Sequence, residues 1–365
     1  MQHRPVTQPR WGCCSPAQPT QRSSFLATLG FVPESRLDSQ NGTANRASHF
    51  GGLAHFVAAL VLAVTVLHSR AADYFHFTNI TDKSLALFEG TRPVFVYNHG
   101  VIQPPGGVPA DRARSTYIHP LYGLDGEVLT DDFPKDHFHH RGLFWAWPHV
   151  RIGDRHYDLW MLKGIEQRFV RWLAREARTD GATLGVENGW FVGDRKVVRE
   201  EVWLQASPTV GDERGLDIEL TWTPLDEPLT LEGAEGKSYG GLTLRFAPRT
   251  NTVITTPLGQ GKEDLSITRL PWADLSARFA GREQFSGAGI AVRPDHPDFP
   301  PQWLTRHYGV LCVGWPGVKP RTFQPGETIR CRYRLGIHRG AANVERVTGA
   351  YHAYEQSLRA GRKEK

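Results

Sequence analysis

Residues 131–150, DDFPKDHFHHRGLFWAWPHV, hold His137, His139, His140 and His149 beside Asp131, Asp132, Asp136 and Arg141 in one aromatic-rich stretch. Imidazole titrates near neutral pH, so a histidine paired with Asp136 can exchange protons with a bound substrate. Arg141 can hold a carboxylate, a phosphate or a developing oxyanion. If 136–141 is extended, alternation puts Asp136, Phe138 and His140 on one face and His137, His139 and Arg141 on the other. His137 and His139 then form an H-x-H pair able to offer two imidazoles to one divalent metal ion. Further ligands would come from His119, Glu187, Glu200, Glu201, Asp274, His296, His307 or His338. A structural use competes with both, the polar groups cross-linking loops with each histidine satisfied by a neighbour. Local sequence leaves the three uses open.

The surrounding aromatics bear on that choice. Trp145 and Trp147 share a face of an alternating segment, and indole surfaces with one polar handle suit the apolar faces of sugar rings. Trp160, Trp190, Trp272, Trp303 and Trp315 can extend such a platform, although most tryptophans belong to the core. In KSYGG, Tyr239 precedes two glycines that permit close backbone approach or mark a bulge. LTRHYGVLCVGWPG places Arg306 and His307 just before a buried strand. The expected catalytic groups are therefore Asp136, His137, His140, Arg141 and Tyr239. Expected at the substrate are His119, Trp145, Trp147, Arg306, His307 and His338, with His137 and His139 as the metal pair. The chain has no G-x-x-x-x-G-K-[ST], H-E-x-x-H or G-x-S-x-G motif, which argues against nucleotide triphosphate chemistry and the familiar serine hydrolases.

The elements that must position these residues read as strands. After residue 72 nearly every periodic segment has period two: YFHFTN (74–79), PVFVYN (93–98), ATLGVENGWFV (182–192), KVVREEVWLQA (196–206), LDIELTWT (216–223) and YGVLCVGW (308–315). VGDRK, VGDERG, APRTN and QPGE punctuate them with turn chemistry. Many antiparallel strands without interleaved helices predict an all-β fold, a large antiparallel sandwich. Residues 159–178 fit a helix or, from Ile165, a strand; a short helix is expected in 341–365. Cys312 and Cys331 lie in two alternating segments and are either a cross-strand disulfide or two buried thiols.

The rest of the chain reads as a leader. Residues 1–50 are polar and aperiodic, as in a disordered or misassigned start. Residues 51–72 contain LAHFVAALVLAVTVL (53–67) followed by HSRAAD, the pattern of a signal peptide cut near Ala71 or Ala72; a retained membrane anchor at 53–67 is the alternative. Residues 73–365 are then one periplasmic or secreted domain with no membrane contact after signal removal. Six Arg against Glu34 and Asp38 put +4 of the net +5 in the leader, so the body is nearly neutral. With no basic block there, nucleic-acid binding is not expected.

RPVFVYNHG, YIHPLYGLDGEVLTDDFPKDHFHHRGLFWAW, KSYGGLTLRF, PWADLS, HYGVLCVGWPG and YRLGIHRG, in this order, resemble the bacterial family labelled methane oxygenase PmoA-like, over residues 74–355. The membrane-bound methane monooxygenase subunit of that name is a multi-pass helical protein, and its chemistry does not transfer to a chain with one apolar run and β patterning. The resemblance implies a secreted or periplasmic β-sandwich similar to the galactose mutarotase-like supersandwich, with an associational link to carbohydrates. The leading expectation is a carbohydrate-active enzyme that moves protons on a sugar or oxidised sugar, with or without a divalent metal. Its ligand would be a small molecule or oligosaccharide, and lyase, epimerase and hydrolase stay open. A non-catalytic carbohydrate-binding module and a redox-metal oxygenase are the alternatives.

Overall fold

A computed structural model describes residues 74–363, so the leader, the candidate signal peptide and Cys13 and Cys14 lie outside the described residues. The fold is mostly β, with three antiparallel sheets and a C-terminal helix. The first sheet has nine strands, in the order Phe75–Thr81, Ser84–Glu89, Arg92–Asn98, Tyr117–Leu121, Leu143–Ala146, Gly241–Arg245, Val310–Gly314, Gln302–Arg306 and Ser266–Arg269. The second also has nine, ordered Gly259–Gly261, Arg249–Thr256, Trp272–Phe279, Ser286–Val292, Ile329–Arg339, Glu213–Pro224, Arg195–Ala206, Ala182–Val192 and Glu166–Ala177. A small third sheet joins Arg321–Phe323, Leu229–Glu232, His149–Ile152 and Arg155–Tyr157.

Period-two patterning is what makes the two large sheets close on each other. In Glu213–Pro224, Leu216, Ile218, Leu220 and Trp222 are buried while Asp217 and Glu219 face outward. Buried side chains of both large sheets form one hydrophobic core, so the two are faces of a single sandwich. Tyr97 of the first sheet packs on Trp172 and accepts a 3.0 Å bond from Asn188 of the second. The Tyr97↔Ile118, Ile118↔Leu143 and Leu143↔Leu244 pairings place all four residues on that inward face. Phe144, Thr243, Arg245, Val310, Leu304 and Arg306 must then project from the outer face.

That register decides the fate of the tryptophans. Trp145 and Trp147 do not form a ligand platform: both are fully buried, and the Trp147 indole donates to the Trp315 carbonyl at 2.6 Å. Burying an aromatic of this size removes roughly 150–250 Å² from water, worth up to about 4–6 kcal/mol at roughly 25 cal/mol per Å². Indoles so placed are core. Cys312 and Cys331 are buried free thiols on opposite sheets, not a disulfide.

Residues 159–178 resolve in favour of a strand, Glu166–Ala177. The C-terminal helix spans Val344–Lys363 and starts where the Asn343 side chain accepts the Arg346 backbone N–H at 2.8 Å, an N-cap. It covers part of the outer face of the second sheet, where Tyr351 donates to the Val292 carbonyl at 3.2 Å. Among the described residues no helix is long and apolar enough to cross a membrane.

Candidate functional site

The histidine stretch is not extended. The His137 N–H donates to the Pro134 carbonyl at 2.9 Å and the His140 N–H to the His137 carbonyl at 2.8 Å, so 134–140 is two turns in succession. Proline, lysine and aspartate at the head of the segment favour turning, and the turn bonds leave no backbone for a strand ladder. The H-x-H alternation therefore does not exist. His137 instead lies over His140, three residues on, with ring centroids 4.6 Å apart and planes within 10°. His139 stands across both, 5.6 Å from His137 and 4.7 Å from His140.

The turns end where Gly142 passes so close to the Ile118 carbonyl that a Cβ would collide with it. Leu143–Ala146 then enters the first sheet, which hangs the histidines over that sheet's outer face. Its neighbour Gly241–Arg245 is preceded by Gly240, and Gly240 and Gly241 both have positive φ (140° and 120°). Only glycine takes these values readily, and they set the direction in which Tyr239 leaves the backbone. Gln302–Arg306, Val310–Gly314 and the turn between them bring Leu304, Arg306, Tyr308 and Val310, and Trp160 comes from the loop before Glu166–Ala177.

Together these residues enclose a cleft of about 190 Å³, lined also by His137, His139, His140, Lys237 and Tyr239. Trp160 and Tyr239 make an aromatic wall with centroids 4.8 Å apart, and Trp160 meets His140 edge-on at 5.6 Å. Opposite them Tyr308, His137 and His140 form a stack.

His137 is the best-oriented group in the cleft. Its Nδ1 lies 3.0 Å from Asp136 Oδ2, and Asp136 Oδ1 accepts a 2.7 Å bond from Arg245, whose guanidinium also sits 5.0 Å over the Tyr308 ring. Burial would raise the Asp136 carboxyl, but His137 and Arg245 hold it below the usual carboxylate range. The contact is within ion-pair distance but off hydrogen-bond geometry, so Asp136 attracts the Nδ1 side of the ring without locking it and leaves Nε2 as the nitrogen away from the carboxylate.

The other cleft histidines are kept neutral. Burial, then His137, Arg112, Arg114 and Arg141, push His139 down to about 4. Burial, His139 and His137 hold His140 well below the usual histidine range. His140 is 4% exposed and its Nδ1 has no hydrogen-bond partner. Burial raises Tyr239 and Tyr308, so both hydroxyls stay protonated at neutral pH. Neutral donors and acceptors thus face a partly apolar cavity, the composition expected of a site that orients a polar ligand.

Of the residues expected from sequence, His137, His139, His140, Tyr239 and Arg306 meet in the cleft, with Asp136 directly behind His137. Arg141 does not reach it: at 1% exposure its guanidinium donates to the carbonyls of Arg112, Phe138 and His140 and lies 3.6 Å over Phe133, bracing the turns from behind. His119 bonds Thr130 at 3.0 Å and is pushed down to about 4 by burial and Arg141. His307 turns away onto Asp264 and the Gly261 carbonyl, and its neighbour Tyr308 takes the cleft position. His338 lies on the second sheet, paired with Asp274. Sequence reasoning missed Lys237 and Arg245, although Lys237 sits two residues before Tyr239 in the segment already singled out.

Metal binding at His137 and His139 loses its geometric basis with the H-x-H register, and among the described residues no group of three or more His, Cys, Asp or Glu is placed to hold an ion.

Fold and cleft define an antiparallel β-sandwich protein with a histidine-lined site on the outer face of one sheet. The chain belongs to the family of unknown function DUF6807, whose model matches residues 85–352. That match lends no support to a methane-oxygenase label. No curated protein matches the chain. Among solved structures it is similar to the GalM/aldose epimerase homologue of C. elegans, with 9% identity, a TM-score of 0.31, and coverage of 73% of this chain and 100% of that one. It is similar to the GH36 alpha-galactosidase AgaA of Geobacillus stearothermophilus, solved with raffinose: 12% identity, TM-score 0.36, covering 73% and 41%. Heparan sulfate lyase HepC of Pedobacter heparinus shows 8% identity and a TM-score of 0.35, covering 74% and 36%. The chain spans about two-fifths or less of the length of these last two, and at such scores none of the three bears on what the cleft does.

Proposed function

We propose that the protein is a carbohydrate-active enzyme that moves a proton on a sugar or oxidised sugar bound in this cleft, with His137 as acid/base and Asp136 as its orienting partner. The observation that carries the reading is the Asp136–His137 pair, tied back by Arg245, beside a cleft lined by Tyr239 and Tyr308. Tyr239 offers flat apolar surface for a ring's C–H face, with the buried Trp160 packed behind it, and the Tyr239 hydroxyl is a proton donor at neutral pH. With Trp145 and Trp147 buried, the alternative of a pure binding module loses the anchors that motivated it. The apolar run at 53–67 supports placing this activity outside the cytoplasm, which N-terminal sequencing of the exported protein tests.

The test is a panel of neutral and acidic mono- and oligosaccharides incubated with the full chain and followed by NMR. His137→Ala should lower turnover about 10²- to 10⁴-fold while leaving the unfolding midpoint nearly unchanged. Turnover that survives His137→Ala would remove the reading.

A further inference from the structure

We propose that the ligand of this cleft is a sugar acid held by its carboxylate, and that the bond the site opens is the C–H next to that carboxylate. The inference rests on the acid/base reading above and names its substrate class. It starts from the charge of the walls. No aspartate or glutamate lines the cleft, whereas Lys237 does, and Arg306 lines it with a guanidinium held by the Leu265 and Thr305 carbonyls, Ser266 and, at 3.9 Å, Asp264. A neutral sugar gains hydrogen bonds from such a lining, and an anion gains those and Coulomb attraction as well.

The field has a second source behind the floor. Arg114 is 3% exposed and makes no ion pair among the described residues: one nitrogen donates to the Leu159 carbonyl and to Gln167 Oε1, both at 3.1 Å, while Nε and Nη1 have no hydrogen-bond partner among them. Glu200, bonded to Gln167, and Asp158 favour its charge through space without a direct ion pair. Burial and Arg141 draw this guanidinium down to about 9, which still leaves it charged at neutral pH. It sits 5.2 Å over Phe144, whose ring meets Trp160 at 5.0 Å and His140 at 6.0 Å, at the cleft floor. A buried cation without a direct ion pair is costly even with carboxylates nearby, and an anion bound in a poorly hydrated cavity beside it offsets part of that cost.

The same lining narrows the reaction. Glycoside hydrolysis in its usual form needs two carboxyl groups flanking the scissile bond, and the cleft has none. Proton abstraction beside a carboxylate needs one base and positive surroundings. His137 Nε2 takes the proton, and the C–H electron pair moves into the carboxylate, giving an enediolate with one more negative charge in reach of Lys237. Return of a proton to carbon exchanges or inverts that centre. If the C–O bond one carbon further breaks instead, its electron pair leaves with the oxygen, which takes the Tyr239 proton, and an unsaturated sugar acid results.

The full chain should be incubated in D2O with matched pairs, galactose and galacturonate, glucose and glucuronate, and with oligomers of the acids, while binding is measured by calorimetry. The expected result is at least tenfold tighter binding of the acid in each pair, loss of the H5 signal of the acid, loss of that exchange in His137→Gln, and at least tenfold weaker acid binding in Lys237→Met. Neutral sugars bound as tightly and transformed in a His137-dependent way would overturn the anionic substrate class and leave the acid/base reading standing. Acetate bound as tightly as the sugar acids, with no exchange, would make this a plain carboxylate site and overturn the inference. No transformation of any sugar, with His137→Gln indistinguishable from the parent, would overturn both.

Discussion

Two His–Asp pairs occupy the outer faces of opposite sheets, and they differ in the atoms left over. His137 and Asp136 meet at 3.0 Å with side chains 34% and 46% exposed; His338 and Asp274 meet at 2.9 Å with 7% and 2%. His338 uses both ring nitrogens, Nε2 on Asp274 and Nδ1 toward the Arg339 carbonyl at 3.3 Å, beneath the helix residues Tyr351 and Tyr354. Both partners of that imidazole accept hydrogen bonds, which favours its protonated form. His137 gives only Nδ1 to its carboxylate. A shared carboxylate therefore does not make a histidine functional; the free nitrogen and the cavity in front of it do.

Deleting one partner from each pair separates the two roles most strongly. Asp136→Ala should lower turnover roughly 10- to 100-fold by freeing the ring, the usual cost of losing an orienting partner, with a stability loss from the unpaired Arg245 that stays smaller than that of the fully buried pair because Asp136 is itself half exposed. His338→Ala should do the reverse: breaking a buried pair costs about 3–5 kcal/mol, read as a lower denaturation midpoint, while turnover per folded molecule stays at the parent's level. Equal stability losses in the two variants would erase the distinction.

The pairs also predict pH slopes of opposite sign. Burial alone would lower His338, but Asp274 raises it above 6.5; the stabilisation is complete below 6.5 and is lost as pH rises through the folded-state value. His139, pushed down to about 4, works the other way: the native state resists a proton that the unfolded chain accepts at 6.5, so stability falls as pH drops from 6.5 towards 4. Denaturation from pH 4 to 8 should show an acid limb that flattens in His139→Gln and an alkaline limb that flattens in Asp274→Asn. A limb unchanged in its variant would refute the corresponding assignment.

Alternation made Glu213–Pro224 legible as a strand with Leu216, Ile218, Leu220 and Trp222 inside, because one face is apolar and the other charged. It could not orient Leu143–Ala146, where Phe144 and Trp145 are both buried and only pairing across four strands shows which faces the core. The turns at 134–140 were illegible for a related reason. A polar run has no hydrophobic face to fix its register, and backbone bonds three residues apart settle it instead. Lys237 and Tyr308 join His137 from about 100 and 170 residues away along the chain, a convergence that no local pattern contains. Within TRHYG the chemistry favours His307, and a single-residue alternation hands the cleft position to Tyr308.

The smallest effect expected is on metal. The cleft offers three imidazoles, enough donors for zinc by number, yet His139 and His140 are surrounded by Arg112, Arg114, Arg141 and Arg245, the charges that already help disfavour a proton on them. A divalent cation meets the same repulsion at twice the charge, and no carboxylate lines the cleft to offset it. Calorimetric titration of the full chain with Zn2+ at neutral pH should therefore show no one-to-one binding that depends on the cleft histidines. One equivalent bound by the parent and lost in a folded His137→Ala/His139→Ala variant would show that the ligand set closes around an ion. It would also turn the comparison of the two pairs around, since Asp136 would then serve as support for a metal ligand and the open Nε2 of His137 would be a coordination site.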